Sequence, residues 1–266
     1  MTTILAAGEL AARIDAGAAL VIDCRSRQEY DAGHIPGALH VPVGSWPYCG
    51  TSPHALRRFS DDTRRRLRDV GVEADRPTVC YESNSGYYAA FAVWCLDYVG
   101  VADTALLDGG ITAWARESLP IATDRPAPAR SRATDSRIDT RWLATAEYVT
   151  ARLHSPGTTI VDVRSHKERI GALRRSARAG WIPGSIHIPW YESLSTHQLE
   201  QPDVLRSFFH ARGLTDDDEI VTYCHGGWRA AHTLIALRRA GFARVRNYLG
   251  SWSEWGNRSD LPVESV

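Results

Sequence analysis

An internal repeat limits the folds open to this chain more than any other feature. LVIDCRSRQEYDAGHIPGALHVP, at 20–42, returns as IVDVRSHKERIGALRRSARAGWIPGSIHIPW at 160–190. Asp23 maps to Asp162 at an offset of 139 and Pro36 to Pro183 at 147, so the second copy carries an eight-residue, arginine-rich insertion. GVEADRPTVCY then matches GLTDDDEIVTY, with Tyr81 and Tyr223 offset by 142. DGGITAWARESLP matches LGSWSEWGNRSDLP, with Trp114 and Trp255 offset by 141. Four blocks in the same order at nearly constant spacing indicate a duplicated domain of about 120 to 140 residues, not a short solenoid repeat.

Each copy reads as α/β. An early helix (AGELAARIDAG; TAEYVTARLH) precedes a short apolar strand (ALVID; TIVDV), and a polar loop, a tight IPG turn and an extended segment ending HVP or HIP follow. A helical stretch, a buried strand (PTVCY; EIVTY), a small-residue loop, another helix and a final strand complete the unit. Continuous apolar strands separated by helices predict a mostly parallel central sheet flanked by helices. ATDRPAPARSRATDSRID, rich in Pro, Ala, Arg and Ser, reads as a linker over 122–139 between domains at 1–121 and 140–266.

Composition narrows the partners. With 31 basic and 31 acidic side chains among 266 residues, no broad electrostatic footprint for nucleic acid or anionic lipid is expected. The first residues carry no basic segment ahead of their short apolar run, and no apolar stretch is long enough to span a bilayer, so the expected location is cytoplasmic. The five cysteines are odd in number and dispersed, without Cys-x-x-Cys spacing, which predicts reduced thiols and no metal site.

Within TYCHGGWRAAH, at 222–232, strand EIVTY delivers Cys224 to the carboxyl end of the sheet, and a helix is expected to start near Ala230. Ligands of open α/β sheets bind at such ends, where helix amides and the helix dipole favour an anion. Gly226 and Gly227 let successive N–H groups turn inward as a nest formed by His225, Gly226, Gly227, Trp228, Arg229 and Ala230. Cys224 is therefore expected to react as a thiolate. Cys24, Cys80 and Cys95 read as small buried hydrophobes, and Cys49 lies in a Pro/Gly loop with no base or helix start beside it.

The paired DCRS…GHIPGA and DVRS…GWIPGS segments, the Tyr-Cys-x-x-Gly-x-x-Ala loop and the closing DGG…AW and GSWSEW segments resemble the tandem-domain rhodanese family, over about residues 5 to 263. These are the thiosulfate and 3-mercaptopyruvate sulfurtransferases. The resemblance implies two tandem rhodanese-like domains and a persulfide carried on Cys224, with no cofactor. It also implies a small anionic sulfur donor and a thiophilic acceptor: cyanide, a small thiol or a thioredoxin-like protein. The first copy has Glu82 where the second has Cys224, so the first domain is expected to lack catalysis.

Two rival classes stand beside it. Cysteine-dependent phosphatases resemble Cys-x5-Arg, whereas Cys224 and Arg229 have four intervening residues, a loop sized for a sulfur atom. A non-catalytic binding or regulatory module is opposed by the retained Cys224, glycine pair and Arg229. Mercaptopyruvate enzymes resemble CGSGVT, and here Gly226 stands where that pattern has serine; Asp23 and His34 match the other two members of its proposed relay. Asp and His flanking turns also simply bond backbone groups. The resemblance implies that the insertion binds the donor's carboxylate or sulfonate, making Arg169, Arg174, Arg175 and above all Arg178 candidates. Trp228 and Trp252 are candidate cleft walls or core residues.

Overall fold

The structure, a computed structural model, describes residues 3–126 and 137–265; the middle of the sequence-assigned 122–139 linker lies outside the described residues. In the first half the elements run β1 (Thr3–Leu5), α1 (Ala7–Asp15), β2 (Leu20–Asp23), α2 (Arg27–Ala32), β3 (Leu39–His40), α3 (Pro53–Asp69), β4 (Thr78–Tyr81), α4 (Tyr87–Tyr98), β5 (Thr104–Leu107) and α5 (Gly110–Arg116). The second half repeats the plan: β6 (Leu143–Ala144), α6 (Ala146–Thr150), β7 (Thr158–Asp162), α7 (His166–Arg169) and β8 (Ile186–His187). A small ribbon, β9 (Leu194–Ser195) with β10 (Gln198–Leu199), is followed by α8 (Pro202–His210), β11 (Glu219–Tyr223), α9 (Trp228–Arg239), β12 (Val245–Tyr248) and α10 (Ser251–Trp255).

Each half builds a five-stranded parallel sheet of the same order, β1-β5-β4-β2-β3 and β6-β12-β11-β7-β8. The strand sequences explain this. LVID, TVCY and TALL are buried at every position, as strands covered on both faces must be. The helices after the central strands are buried over most of their circumference, Ala89–Leu96 in α4 and Ala230–Leu237 in α9, so they show little amphipathic periodicity. The C-terminal tryptophans, Trp114 and Trp255, enter the two cores and donate their indole N–H groups to Pro120 and Pro262 carbonyls at 2.8 and 2.7 Å.

The two compact units are not contiguous in the chain. One holds 1–46, 58–139 and 194–199; the other holds 47–57, 140–193 and 200–266. The division read from sequence missed both exchanged segments, because nothing in composition marks residue 47 or 194 as a boundary.

Several local expectations need revision. The polar stretches after β2 and β7 are short helices, each started by a capping box in which Ser26 pairs with Glu29 and Ser165 with Glu168. Helix α9 begins at Trp228, not near Ala230: Gly227, at φ 87°, caps it in the left-handed region, and a side chain there would also strike the Leu249 carbonyl. The helix read through His154 ends at Thr150.

Candidate active site

The second unit's site starts with strand β11, which ends at Tyr223. That tyrosine is fully buried, and its hydroxyl accepts the Ile182 N–H at 3.2 Å. Burial, then the charge of Asp162, pushes its phenol far above the usual range. The Cys224 N–H donates to Ser251 Oγ at 3.1 Å, and its carbonyl accepts from Trp252 N–H at 3.0 Å. The His225 carbonyl accepts from Ser253 N–H at 2.7 Å. These bonds fasten the first half of the loop to α10. The first helical bond of α9 runs from Ala231 N–H to the Gly227 carbonyl, which leaves the amides of Gly226, Gly227, Arg229 and Ala230 at the helix's N-terminal end.

Arg229, in the first turn of α9, forms a two-pronged ion pair with Glu168: Nη1 to Oε2 at 2.6 Å and Nη2 to Oε1 at 2.8 Å. Burial alone would raise the Glu168 carboxyl, but the hydrogen bonds and charge of Arg229, helped by Ser165, hold it down at about 2. Burial also opposes the Arg229 charge, yet its bonds to Glu168, with the neighbouring Cys224, raise it above the ordinary guanidinium value. Arg229 thus ties the first turn of α9 to the capping box of α7. His225 is neutral at physiological pH, because burial, followed by the neighbouring arginines, lowers it to about 4.

Beside the loop lies a small cavity of about 10 Å³ lined by Arg164, Glu168, Arg174, Arg175, His225 and Trp252, among others. The Cys224 side chain is 1% exposed. Tyr48, from the exchanged segment 47–57, covers the loop: its ring stands edge-on to His225 at 5.1 Å and tilted against Trp228 at 5.1 Å.

The insertion arginines divide. Arg174 and Arg175 are exposed, line the cavity, and reach only the Ser176 carbonyl and, at 3.7 Å, Glu168. Arg178, the leading sequence candidate, also borders the cavity, and its Nη1 and Nη2 donate to the carbonyls of Leu261 and Trp255, both at 2.7 Å, and of Arg258. Arg169 bonds Ser185 and Asp162 and lies over the Trp181 ring at 4.4 Å. Each is thus tied to acceptors of the fold. Trp252 is in the core and on the cavity at once, with Arg164 over its ring at 4.4 Å.

Asp23 and His34 belong to the first unit's scaffold. The Asp23 carboxylate takes the Arg25 guanidinium at 2.6 Å and the Tyr81 hydroxyl at 2.6 Å, while His34 is fully buried, stacks on Tyr30 at 3.9 Å and bonds its carbonyl. The second unit repeats the first pair without a relay: Asp162 holds Arg164 at 2.6 Å, and Arg164 reaches the Gly180 carbonyl as Arg25 reaches that of Gly33. Among the described residues, no group of three or more His, Cys, Asp and Glu side chains is arranged to hold a metal ion.

Sequence reasoning missed Glu168, Ser251 and Tyr48. The Ser-x-x-Glu spacing marks Glu168 as a cap, but its pairing with Arg229, 61 residues away, depends on the fold. Ser251 has φ 49°, an unusual backbone for serine that no local signal announces.

Comparison with known proteins identifies the family. The rhodanese-like domain family matches the chain twice, at residues 6–117 and 145–258, and the chain belongs to that family. It is 31% identical to a thiosulfate sulfurtransferase of Azotobacter vinelandii, over 98% of this chain and 96% of that one. It is 30% identical to the 3-mercaptopyruvate sulfurtransferase of Escherichia coli K12, over 100% and 99% of the two chains. The crystal structure of SseA from E. coli, described as a 3-mercaptopyruvate sulfotransferase with the rhodanese fold, superposes with a TM-score of 0.82 at 26% identity, covering 96% of this chain and all of that one. Within the family, then, this protein is a sulfurtransferase.

Proposed function

We propose that Cys224 carries the sulfur of this enzyme as a persulfide, in a double displacement between a small anionic donor and a thiophilic acceptor. The Cys224 thiolate attacks the outer sulfur of thiosulfate; the sulfur–sulfur bond of the donor breaks and its electron pair leaves with sulfite. With 3-mercaptopyruvate the carbon–sulfur bond breaks and, after proton uptake, pyruvate departs. Cyanide, a small thiol or a reduced thioredoxin-like protein then attacks the terminal sulfur, and the electron pair returns to Cys224. The amides from Gly226 to Ala230 and the α9 dipole stabilise the persulfide anion.

One observation carries this reading: the Cys224 loop ends at the α9 N-terminus, with Arg229 in the first turn bonded to Glu168 beside an arginine-lined cavity. Arg174 and Arg175, both exposed, the first held only by one Nε bond to the Ser176 carbonyl and the second only 3.7 Å from Glu168, are the donor-binding pair. The Arg229–Glu168 bond tells against a phosphatase, which needs that guanidinium fork for the phosphoryl oxygens. Thiosulfate and 3-mercaptopyruvate both remain as donors, since relatives of both names match at nearly equal identity. We read the copy at 1–121 as the non-catalytic domain and that at 140–266 as the catalytic one, joined by 122–139, with 47–57 packed into the second unit and 194–199 into the first. Five dispersed cysteines without Cys-x-x-Cys spacing fit a cytoplasmic location.

The test is direct. Incubation with either donor should add about 32 Da to the intact protein. The addition should map to Cys224, disappear in Cys224→Ser, and reverse with cyanide. Turnover in that variant should fall by about 10⁴-fold or more. Absence of the added mass with both donors would refute the persulfide.

A further inference from the structure

We infer that Tyr48 is the specificity-determining residue of the Cys224 site: its ring fills the space a side chain at 226 would occupy and sets the size of molecule that reaches the sulfur. The inference rests on the persulfide reading for its biological meaning and on geometry for its substance. Gly226 does not lie in the left-handed region, so its backbone would accept any residue. Space forbids one. A Cβ added there would sit 2.1 Å from Tyr48 Cδ1, 2.4 Å from Cε1 and 3.0 Å from Cγ. Because Cγ lies on the axis of ring rotation, rotating the ring alone does not clear the contact, and the side chain must shift as well.

Tyr48 is placed to act as a roof. Its ring contacts both His225 and Trp228, the residues on either side of the glycine pair, while the residue is 48% exposed. One part of the ring therefore faces the loop and the rest faces solvent. Thr51 anchors the segment three residues on: its N–H and hydroxyl donate to the Glu254 carboxylate at 2.8 and 2.6 Å, and its hydroxyl oxygen accepts from Ala146 N–H at 2.9 Å. With the anchor fixed, opening is reduced to movement of the ring and its nearest neighbours. The Cys224 side chain is 1% exposed beneath this loop, so a reagent approaching over Gly226 must displace the ring. Slim donors and acceptors pass with a small displacement; a bulky acceptor needs the ring to swing out fully.

Alkylation tests the roof without sulfur chemistry. Iodoacetamide, which loses iodide to the thiolate, and the bulkier fluorescein maleimide are timed at Cys224 by peptide mass in wild type, Tyr48→Phe, Tyr48→Ala, Gly226→Ala and the double variant. Tyr48→Ala should raise the maleimide rate about tenfold more than the iodoacetamide rate, and Tyr48→Phe should keep the wild-type ratio. Gly226→Ala, which expels the ring, should behave like Tyr48→Ala, and combining the two should add nothing further. An unchanged size ratio in Tyr48→Ala, with far-UV circular dichroism matching wild type, overturns the assignment; so does an additive double variant. Persulfide formation is followed separately on wild type. A changed ratio without persulfide would keep the roof and remove the sulfur-transfer reading, and persulfide with an unchanged ratio would do the reverse.

Discussion

In the first unit Tyr81 is followed by Glu82, whose carboxylate folds back to accept the Tyr88 and Ala89 N–H groups at 2.8 and 3.1 Å. In the second unit Tyr223 is followed by Cys224, and its loop contains no carboxylate. The strands feeding the two loops, the Asp–Arg pairs beside them and the capping boxes behind them are duplicates. One loop thus supplies its own carboxyl group to the helix amides, whereas the other leaves them for the persulfide under the proposed chemistry. The capping glutamates diverge accordingly: Glu29 accepts from Ser83 at 3.0 Å, while Glu168 holds Arg229. A single fold supports either outcome, because one residue after the central strand decides what the helix end binds.

The sharpest way to break this comparison is to make the same change in both capping boxes. Glu168→Gln leaves Arg229 without its counter-charge and should cost about 3 kcal/mol in urea unfolding, with sulfur transfer falling at least about tenfold. Glu29→Gln, at an exposed cap, should cost about 1 kcal/mol or less. Since the folded Glu168 carboxyl is held at about 2, below its unfolded value, its stabilisation is present above about pH 4.5 and is lost as pH falls toward 2. Glu168→Gln should remove that acid limb. Equal losses in the two variants would end the claim that the boxes have diverged.

The insertion, present only in the second copy, sharpens it next. Arg178→Ala strips a guanidinium from three carbonyls and should lower stability by about 2 kcal/mol, because those acceptors lose their partner. Arg174→Ala and Arg175→Ala should leave stability within about 0.5 kcal/mol and raise the donor KM about three- to tenfold at nearly constant kcat. A reversed pattern, with KM following Arg178, would restore the sequence-based preference.

The smallest effect concerns Glu82. Burial pushes its carboxyl up to about 7 despite the two amide donors. A folded value above the unfolded one means that stability declines as pH rises from about 4.5 to 7 and is level beyond. Glu82→Gln should flatten that slope by about 1 kcal/mol in unfolding titrations and leave transfer at Cys224 unchanged.

Much of this was legible in the primary structure. The repeat gave two parallel α/β units, and Cys224 stood out through the glycine pair, Arg229 and its position at a strand end. The insertion showed that arginines matter but not which, since Arg174 and Arg178 differ only in the carbonyls the fold brings within reach. Tyr48 was invisible for the same reason: a tyrosine in GSWPYCG carries no mark of the glycine it will cover, 178 positions later. Helix starts were missed by two residues where a left-handed glycine capped the helix from outside any apolar pattern.

The exchange of segments bears on how such a protein can be divided. A gene cut within 122–139 would yield a second half lacking Thr51, so Glu254 and the Ala146 amide would lose their bonds, and lacking Tyr48, so the cysteine loop would lose its cover. Duplication here did not leave two detachable modules. Each half has become a tenant of the other's chain, and fission would require both to evolve replacements.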